Sequence, residues 1–228
     1  MAVQIPEKWL QGSSLGEKIS FELRLRIISG ATAAGTVLSE NALAAEFGTS
    51  RSPIRDALKM LAGEGLIRME RMGAVVLGLT PADMEELYDV RFLFEDFALQ
   101  RLAQQNDEGK IGELRRIIDR MEMAAKHDDP VQFAYHDLEF HETIIIGARH
   151  TRILYMWNNI RNVVLTALLV ATESRFSRKE EIQPLIDRHK LLVDALVTGD
   201  TATIRKIVQE HFNDTKRTVD ESLFASEK

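Results

Sequence analysis

Apolar positions change their period twice along this chain. Residues 15–64 carry them at helical spacing in three short runs, residues 66–79 read as two short β-like runs, and helical spacing then returns to the end. The first run predicts a helix from Leu15 to Ile28, stopped at Gly30 and followed by a small-residue connection, Ala31–Thr36. Ser39 is placed to cap a second helix that reaches Phe47 and ends at Gly48. Ser50 is placed to cap a third, from Arg51 to about Glu64, with Gly65 as its terminator. The strands follow at Leu66–Glu70 and Ala74–Leu79, with Met72-Gly73 as the turn between them.

The remainder predicts six helices. Thr80-Pro81 combines a cap with a proline at the first helical position, and the helix it opens extends toward Asn106, with Gly109 marking its end. A second spans about 110–127, and Asp129-Pro130 repeats the cap-plus-proline signal for a third, reaching Gly147. The others span about 151–173, 179–198 and, opened by Gly199-Asp200, a last one to Leu223. Short connections between six helices favour an antiparallel bundle. The expected chain is therefore mainly α, with three parts. An N-terminal arm, 1–14, precedes a winged helix-turn-helix with a two-stranded wing at 15–80, and an all-α bundle fills 81–228.

Composition narrows the function classes. The chain has 228 residues, 45% of them hydrophobic, which excludes wholesale disorder. It has no cysteine, so disulfides, thiolate zinc fingers and cysteine nucleophiles are excluded. That suits a reducing cytoplasm, and a cytoplasmic location is expected. The apolar stretches read as broken short of a span, so no membrane association is expected. The net charge of −6 is unevenly placed: residues 1–80 hold nine Lys/Arg against eight Asp/Glu, and residues 81–228 hold 20 against 27. DNA needs only a local basic surface, which Arg51, Arg55, Lys59, Arg68 and Arg71 can supply.

In the first part, Leu43, Ala44, Phe47, Ile54, Leu58 and Leu61 supply the apolar contacts that fix two short helices around a tight turn at Gly48. The second short helix then offers its first turn, Ser50, Arg51, Ser52 and Arg55, to a major groove. Arginine can donate two bonds to a guanine edge, and serine hydroxyls and helix-end amides suit phosphate. Arg71 and Gly73 are expected at the wing tip, near the minor groove or backbone. The text Ser50-Arg51-Ser52-Pro53-Ile54-Arg55-Asp56-Ala57-Leu58, followed by Leu61…Glu64-Gly65-Leu66-Ile67, resembles the DNA-binding domain of the GntR family over about residues 15–80. The resemblance implies operator contacts from Arg51 and Arg55 and phosphate contacts from Ser50 and Ser52. Asn41 stands where some relatives carry arginine, which leaves its part in base reading open.

In the second part, four polar residues fall on apolar stripes. Asp137 and His141 share a helix face with Phe133, Phe140 and Ile144. His189 lies among Ile182, Leu185, Ile186, Leu192, Val193 and Leu196, and His211 follows Ile204, Ile207 and Val208. A carboxylate among apolar residues needs a partner or a cation. Two readings stand: a buried hydrogen-bonded cluster, or a divalent transition metal held by three imidazoles and one carboxylate. His127, His136 and His150 lack this placement and read as surface residues.

Asp137-Leu138-Glu139-Phe140-His141, the run His189–Asp200, and His211-Phe212 are similar to the FCD domain of the FadR subgroup of GntR regulators. Six helices suit its shorter, VanR-like branch. The resemblance implies metal ligation by Asp137, His141, His189 and His211, with zinc foremost and nickel, manganese or iron as alternatives. Two departures stand out: Arg149-His150 where relatives often have Gly-Asn, and Arg188 where they often have Glu. Arg91 either pairs with Glu95 or clamps an effector carboxylate, and Asn158 and Arg161 are weaker pocket candidates.

The expected function is a repressor, not an enzyme. It would bind a palindromic operator as a homodimer and respond to a small organic acid at the metal. Two rivals are a metalloenzyme using the Asp/His₃ centre and a non-specific DNA-architecture protein. No separate general base is evident for the first, and the acidic second part argues against the other.

Overall fold

The computed structural model describes residues 12–71, 73–105 and 107–223. Most of the arm at 1–14, Met72 of the wing turn and Asn106 lie outside the described residues. The chain divides into two units, Met1–Thr80 and Pro81–Lys228.

The first unit packs α1 (Leu15–Ile28) on α3 (Arg51–Gly63), with α2 (Glu40–Glu46) closing the helix-turn-helix. Ser14 and Glu17 form a reciprocal capping box at the start of α1. Ile19, Leu23 and Ile27 of α1 are buried, as are Ile54, Leu58 and Leu61 of α3. Between the helices, Arg24 (1% exposed) donates Nε and Nη2 to Glu64, both at 2.6 Å. That fork uses both carboxylate oxygens and satisfies a buried guanidinium. Gly48 sits at φ +60°, which turns the chain sharply between α2 and α3.

Among the described residues the wing has three strands, one more than expected. β1 (Val37–Ser39), β2 (Ile67–Glu70) and β3 (Gly73–Val76) form an antiparallel sheet in the order β1-β3-β2. The residues between the Ala31–Thr36 connection and the second helix, ending in the cap residue Ser39, pair with the wing, Val37 opposite Val75 and Ser39 opposite Gly73. Three residues between a small-residue loop and a helix cap are too few to show a period of two, so the pattern hid the strand. Gly73 also differs from its expected place. It pairs with Glu70 on one side and Ser39 on the other, and it is buried inside the sheet rather than exposed at the tip. Its φ is +150°, and a Cβ there would lie 2.0 Å from the Leu38 carbonyl oxygen.

Among the described residues the second unit has six helices: α4 (Pro81–Ala103), α5 (Glu108–Lys126), α6 (Pro130–Gly147), α7 (Thr151–Ser177), α8 (Gln183–Thr198) and α9 (Thr201–Leu223). Caps explain the shifted boundaries. Asp107 accepts the Lys110 amide at 3.0 Å, so α5 begins ahead of Gly109, which lies in its first turn rather than closing α4. Pro184 fits only a first turn, so α8 begins at Gln183 and not near 179. The α6–α7 junction resolves the Arg149-His150 departure: Arg149 takes φ +50°, and His150 caps α7 by accepting the Ile153 amide at 3.2 Å on Nδ1. That imidazole does what an asparagine cap would do.

α7 is long and apolar enough to cross a membrane by length and composition alone. In this fold it packs on α6 and α9 instead. Phe133, Phe140, Ile144, Trp157 and Leu169 form the fully buried centre of the bundle.

Replacing Gly73 with alanine tests the wing. The added Cβ meets backbone rather than a movable side chain, and the left-handed φ adds strain, so Gly73→Ala is expected to destabilise the first unit by more than ~1 kcal/mol. Urea denaturation checks it, and a wild-type midpoint would contradict the close strand approach.

Candidate nucleic-acid interface and candidate metal centre

The first turn of α3 is solvent-facing. Ser50, Arg51, Ser52 and Arg55 are exposed, as are Asn41 on α2 and Arg71 beyond β2, while Ile54, Ala57 and Leu58 anchor the opposite face. Ser50 holds the N-cap position but makes no side-chain cap bond. Its hydroxyl is left for another acceptor or donor, and the first amides of a helix have no carbonyl partner within it. Both arginines reach one carboxylate on α2. Arg51 donates Nη2 (2.6 Å) and Nε (3.0 Å) to Glu40 Oε2, and Arg55 Nε lies 3.0 and 2.9 Å from Glu40 Oε1 and Oε2. Hydrogen bonds from Arg55 and then Arg51 hold the Glu40 carboxyl below its usual range. Sequence reasoning passed over Glu40, since a glutamate at a helix start reads first as a dipole partner.

In the second unit, Asp137 and His141 from α6, His189 from α8 and His211 from α9 converge and are all buried. The imidazole rings form a triangle with centroids 5.1–5.4 Å apart. One ring nitrogen from each lies within 4.8 Å of the others. Their protonation follows from their outer partners. His189 Nδ1 donates to the Leu185 carbonyl at 2.7 Å, so in the neutral ring Nε2 carries a lone pair. His141 Nδ1 donates to Glu95 Oε2; burial opposes charge on this ring, but Glu95 outweighs it and raises the imidazole, so without a cation its Nε2 also bears a proton aimed at Asp137. Both Nε2 atoms face Asp137 Oδ1, at 3.3 Å from His141 and 3.5 Å from His189. Among the described residues, His211 is buried with no partner on either ring nitrogen, and His189 Nε2 has none in hydrogen-bond geometry. Several acceptors pointed at one another repel unless a proton or a cation lies among them.

The titration pattern has the same cause. Burial raises the Asp137 carboxyl, but hydrogen bonds and charge from His141 and His189 outweigh it and hold it well below the usual range. Burial, then the neighbouring imidazoles, pushes His211 well down, which keeps it neutral and able to ligate. Burial also opposes ionisation of Glu95, yet the charges of His141 and Arg91 prevail and lower it.

Arg91, Asn158 and Arg161 do not line the cavity beside the centre. Arg91 (1% exposed) donates Nε to Glu95 Oε1 at 3.1 Å and lies over the Tyr88 and Phe212 rings. It serves the carboxylate that orients His141. Asn158 is exposed, and Arg161 forms a fork with Glu142 at 2.6 and 3.2 Å. The cavity beside the centre has a volume of about 20 Å³ and is lined by Asp137, His189 and His211 with Thr172, Arg175, Arg188 and Thr215. Arg188, one of the two departures from relatives, is therefore at the cavity wall. Arg175 and Arg188 lie one turn from helix ends in a charge-rich stretch, and nothing in the local pattern separates them from surface residues.

Residues 15–77 match the family described as bacterial regulatory proteins, gntR family, and residues 86–214 match the FCD domain. The chain belongs to the gntR family. It is 43% identical over 224 residues to the gluconate operon transcriptional repressor of Bacillus licheniformis, covering 98% of this chain and 92% of that one. The Bacillus subtilis (strain 168) protein of the same description is 42% identical over 224 residues with the same coverage. In fold, the chain is similar to E. coli McbR/YncC, with a TM-score of 0.71 and 19% identity over 91% of this chain and 98% of that one. This gntR-family protein is a DNA-binding transcription repressor and not an enzyme.

Glu95 gives a test of the buried network. Glu95→Ala leaves the Arg91 guanidinium buried without its carboxylate, and is expected to cost ~3–5 kcal/mol in the metal-free protein. Chemical denaturation reads this, and a loss under ~1 kcal/mol would mean the ion pair does not organise the bundle.

Proposed function

We propose that this repressor holds a divalent transition metal through Asp137, His141, His189 and His211, and that a sugar acid of the gluconate class binds beside it and releases DNA. The observation that carries the reading is the set of inward, unpartnered imidazole nitrogens around a buried carboxylate. Three nitrogens and one oxygen suit zinc, nickel, manganese or iron(II), with outer partners Glu95 and the Leu185 carbonyl orienting two of the rings. When bound, the metal supplies positive charge and open positions for an anion's oxygens.

The rest falls to the chain's own side chains. Arg175 and Arg188 bring positive charge to the cavity, and Thr172 and Thr215 bring hydroxyls suited to a polyol. Arg188 is held by Asp214 at 3.2 Å, and Arg175 Nε is buried 3.4 Å from Glu180. A cavity near 20 Å³ takes a water molecule, not a six-carbon acid. An effector must therefore part the walls that α7, α8 and α9 supply, and that displacement is the change available to alter DNA binding. The names of the Bacillus relatives support gluconate-use genes as the target and gluconate as the first effector to try.

DNA contact is assigned to Arg51 and Arg55 for bases and to Ser50, Ser52, Arg71 and Asn41 for the surrounding duplex, in the cytoplasm. A palindromic operator calls for two copies. Leu93 (64% exposed) on α4 and Tyr155 (67% exposed) on α7 are apolar surface that a second copy would cover.

The test is release of an operator duplex by gluconate and related acids, measured by fluorescence anisotropy on metal-loaded protein. Arg188→Ala and Arg175→Ala are expected to weaken the response about tenfold or more while keeping the metal. His211→Ala is expected to lose both. Release that is equal in metal-stripped and loaded protein would overturn the effector site and leave the repressor assignment standing.

A further inference from the structure

We propose that Glu40 is a positioning residue for operator reading: it fixes the Arg51 and Arg55 guanidinium groups as one unit before DNA arrives. Arg51 and Arg55 are four residues apart on α3, so they share a face and repel each other. Glu40 stands between them. Its side chain is 10% exposed, against 50% and 52% for the two arginines, so the carboxylate is seated and the cations reach it from solvent. It is the first residue of α2, capped by Ser39, where helix amides favour negative charge.

The bonding decides what remains for DNA. Arg55 gives Nε–H to Glu40, which leaves the two terminal nitrogens as an end-on fork. Such a fork matches the O6 and N7 acceptors of guanine in the major groove. Arg51 gives Nε and Nη2 to one oxygen, which leaves Nη1 outward. Among the described residues neither arginine has another side-chain partner. Without Glu40, each long side chain must lose its rotamer freedom on binding, and that ordering weakens the specific complex. Non-specific binding needs only positive charge near phosphate, so it is served better without the carboxylate. Glu40 thus trades general DNA affinity for discrimination.

The experiment uses the full chain and two probes: a duplex enriched by the wild-type protein from a random-sequence library, and a scrambled duplex of equal length. Affinity for each is measured at several salt concentrations for wild type, Glu40→Gln, Glu40→Asp and Arg55→Ala. For Glu40→Gln the ratio of enriched to scrambled affinity is expected to fall at least about tenfold, with scrambled binding rising and the melting temperature unchanged. Glu40→Asp keeps the charge but is too short to bridge both arginines, so discrimination is expected to fall there too. In an Arg55→Ala background the effect of Glu40→Gln is expected to shrink. If both probes gained equally, Glu40 would be a mere electrostatic brake. If both lost equally it would be structural, and if Glu40→Asp matched wild type only its charge would matter. Each of these results overturns the proposal.

Discussion

Asp137 is a carboxylate at 5% exposure with imidazole nitrogens 3.3 and 3.5 Å from one of its oxygens. Few groups are costlier to bury, and the arrangement of α6, α8 and α9 follows from meeting that cost. The outer contacts extend the constraint. Glu95 on α4 engages His141, Arg91 engages Glu95, and Tyr88 and Phe212 lie under the guanidinium. One polar chain thus runs from α4 through α6 to α8, in a bundle whose interior is otherwise mostly apolar. On the proposed reading a divalent cation completes it, and the same cation gives an acidic domain a place for an anion.

The DNA-reading end rests on a similar device in a wetter setting. There one carboxylate, Glu40, gathers two cations that would otherwise separate, and Ser50 leaves its hydroxyl outside the helix cap. In the first unit a further carboxylate, Glu64, satisfies the buried Arg24 and ties α1 to the end of α3. Acidic residues therefore set the geometry of basic ones throughout, which is why net charge says little about DNA binding here.

The sequence displays some of this directly. Helices with a cap and a proline, such as those at Thr80-Pro81 and Asp129-Pro130, begin where the pattern places them, because both signals act locally. The apolar stripes also place Asp137, His141, His189 and His211 together, since burial imposes the period. Elements decided by distant contacts are hidden. β1 exists only because β3 is there to pair with it, and the burial of Gly73 depends on that same strand. Arg91 reads equally as an effector clamp or an internal partner, and its Nε contact with Glu95 is visible only in the fold. Arg175 and Arg188 reach the cavity through the crossing of α7 and α8, which no local spacing encodes.

The most direct measurement is the metal content of full-length protein purified without chelator, paired with its melting temperature before and after stripping. The expected result is close to one zinc, nickel, manganese or iron ion per chain. Stripping is expected to lower the melting temperature, and re-addition of the ion to restore it, since a ligand held only by the folded state adds its binding energy to stability. A metal-free protein of undiminished stability that takes up none of these ions would contradict the claim. Asp137 and the three imidazoles would then be a self-contained hydrogen-bonded cluster.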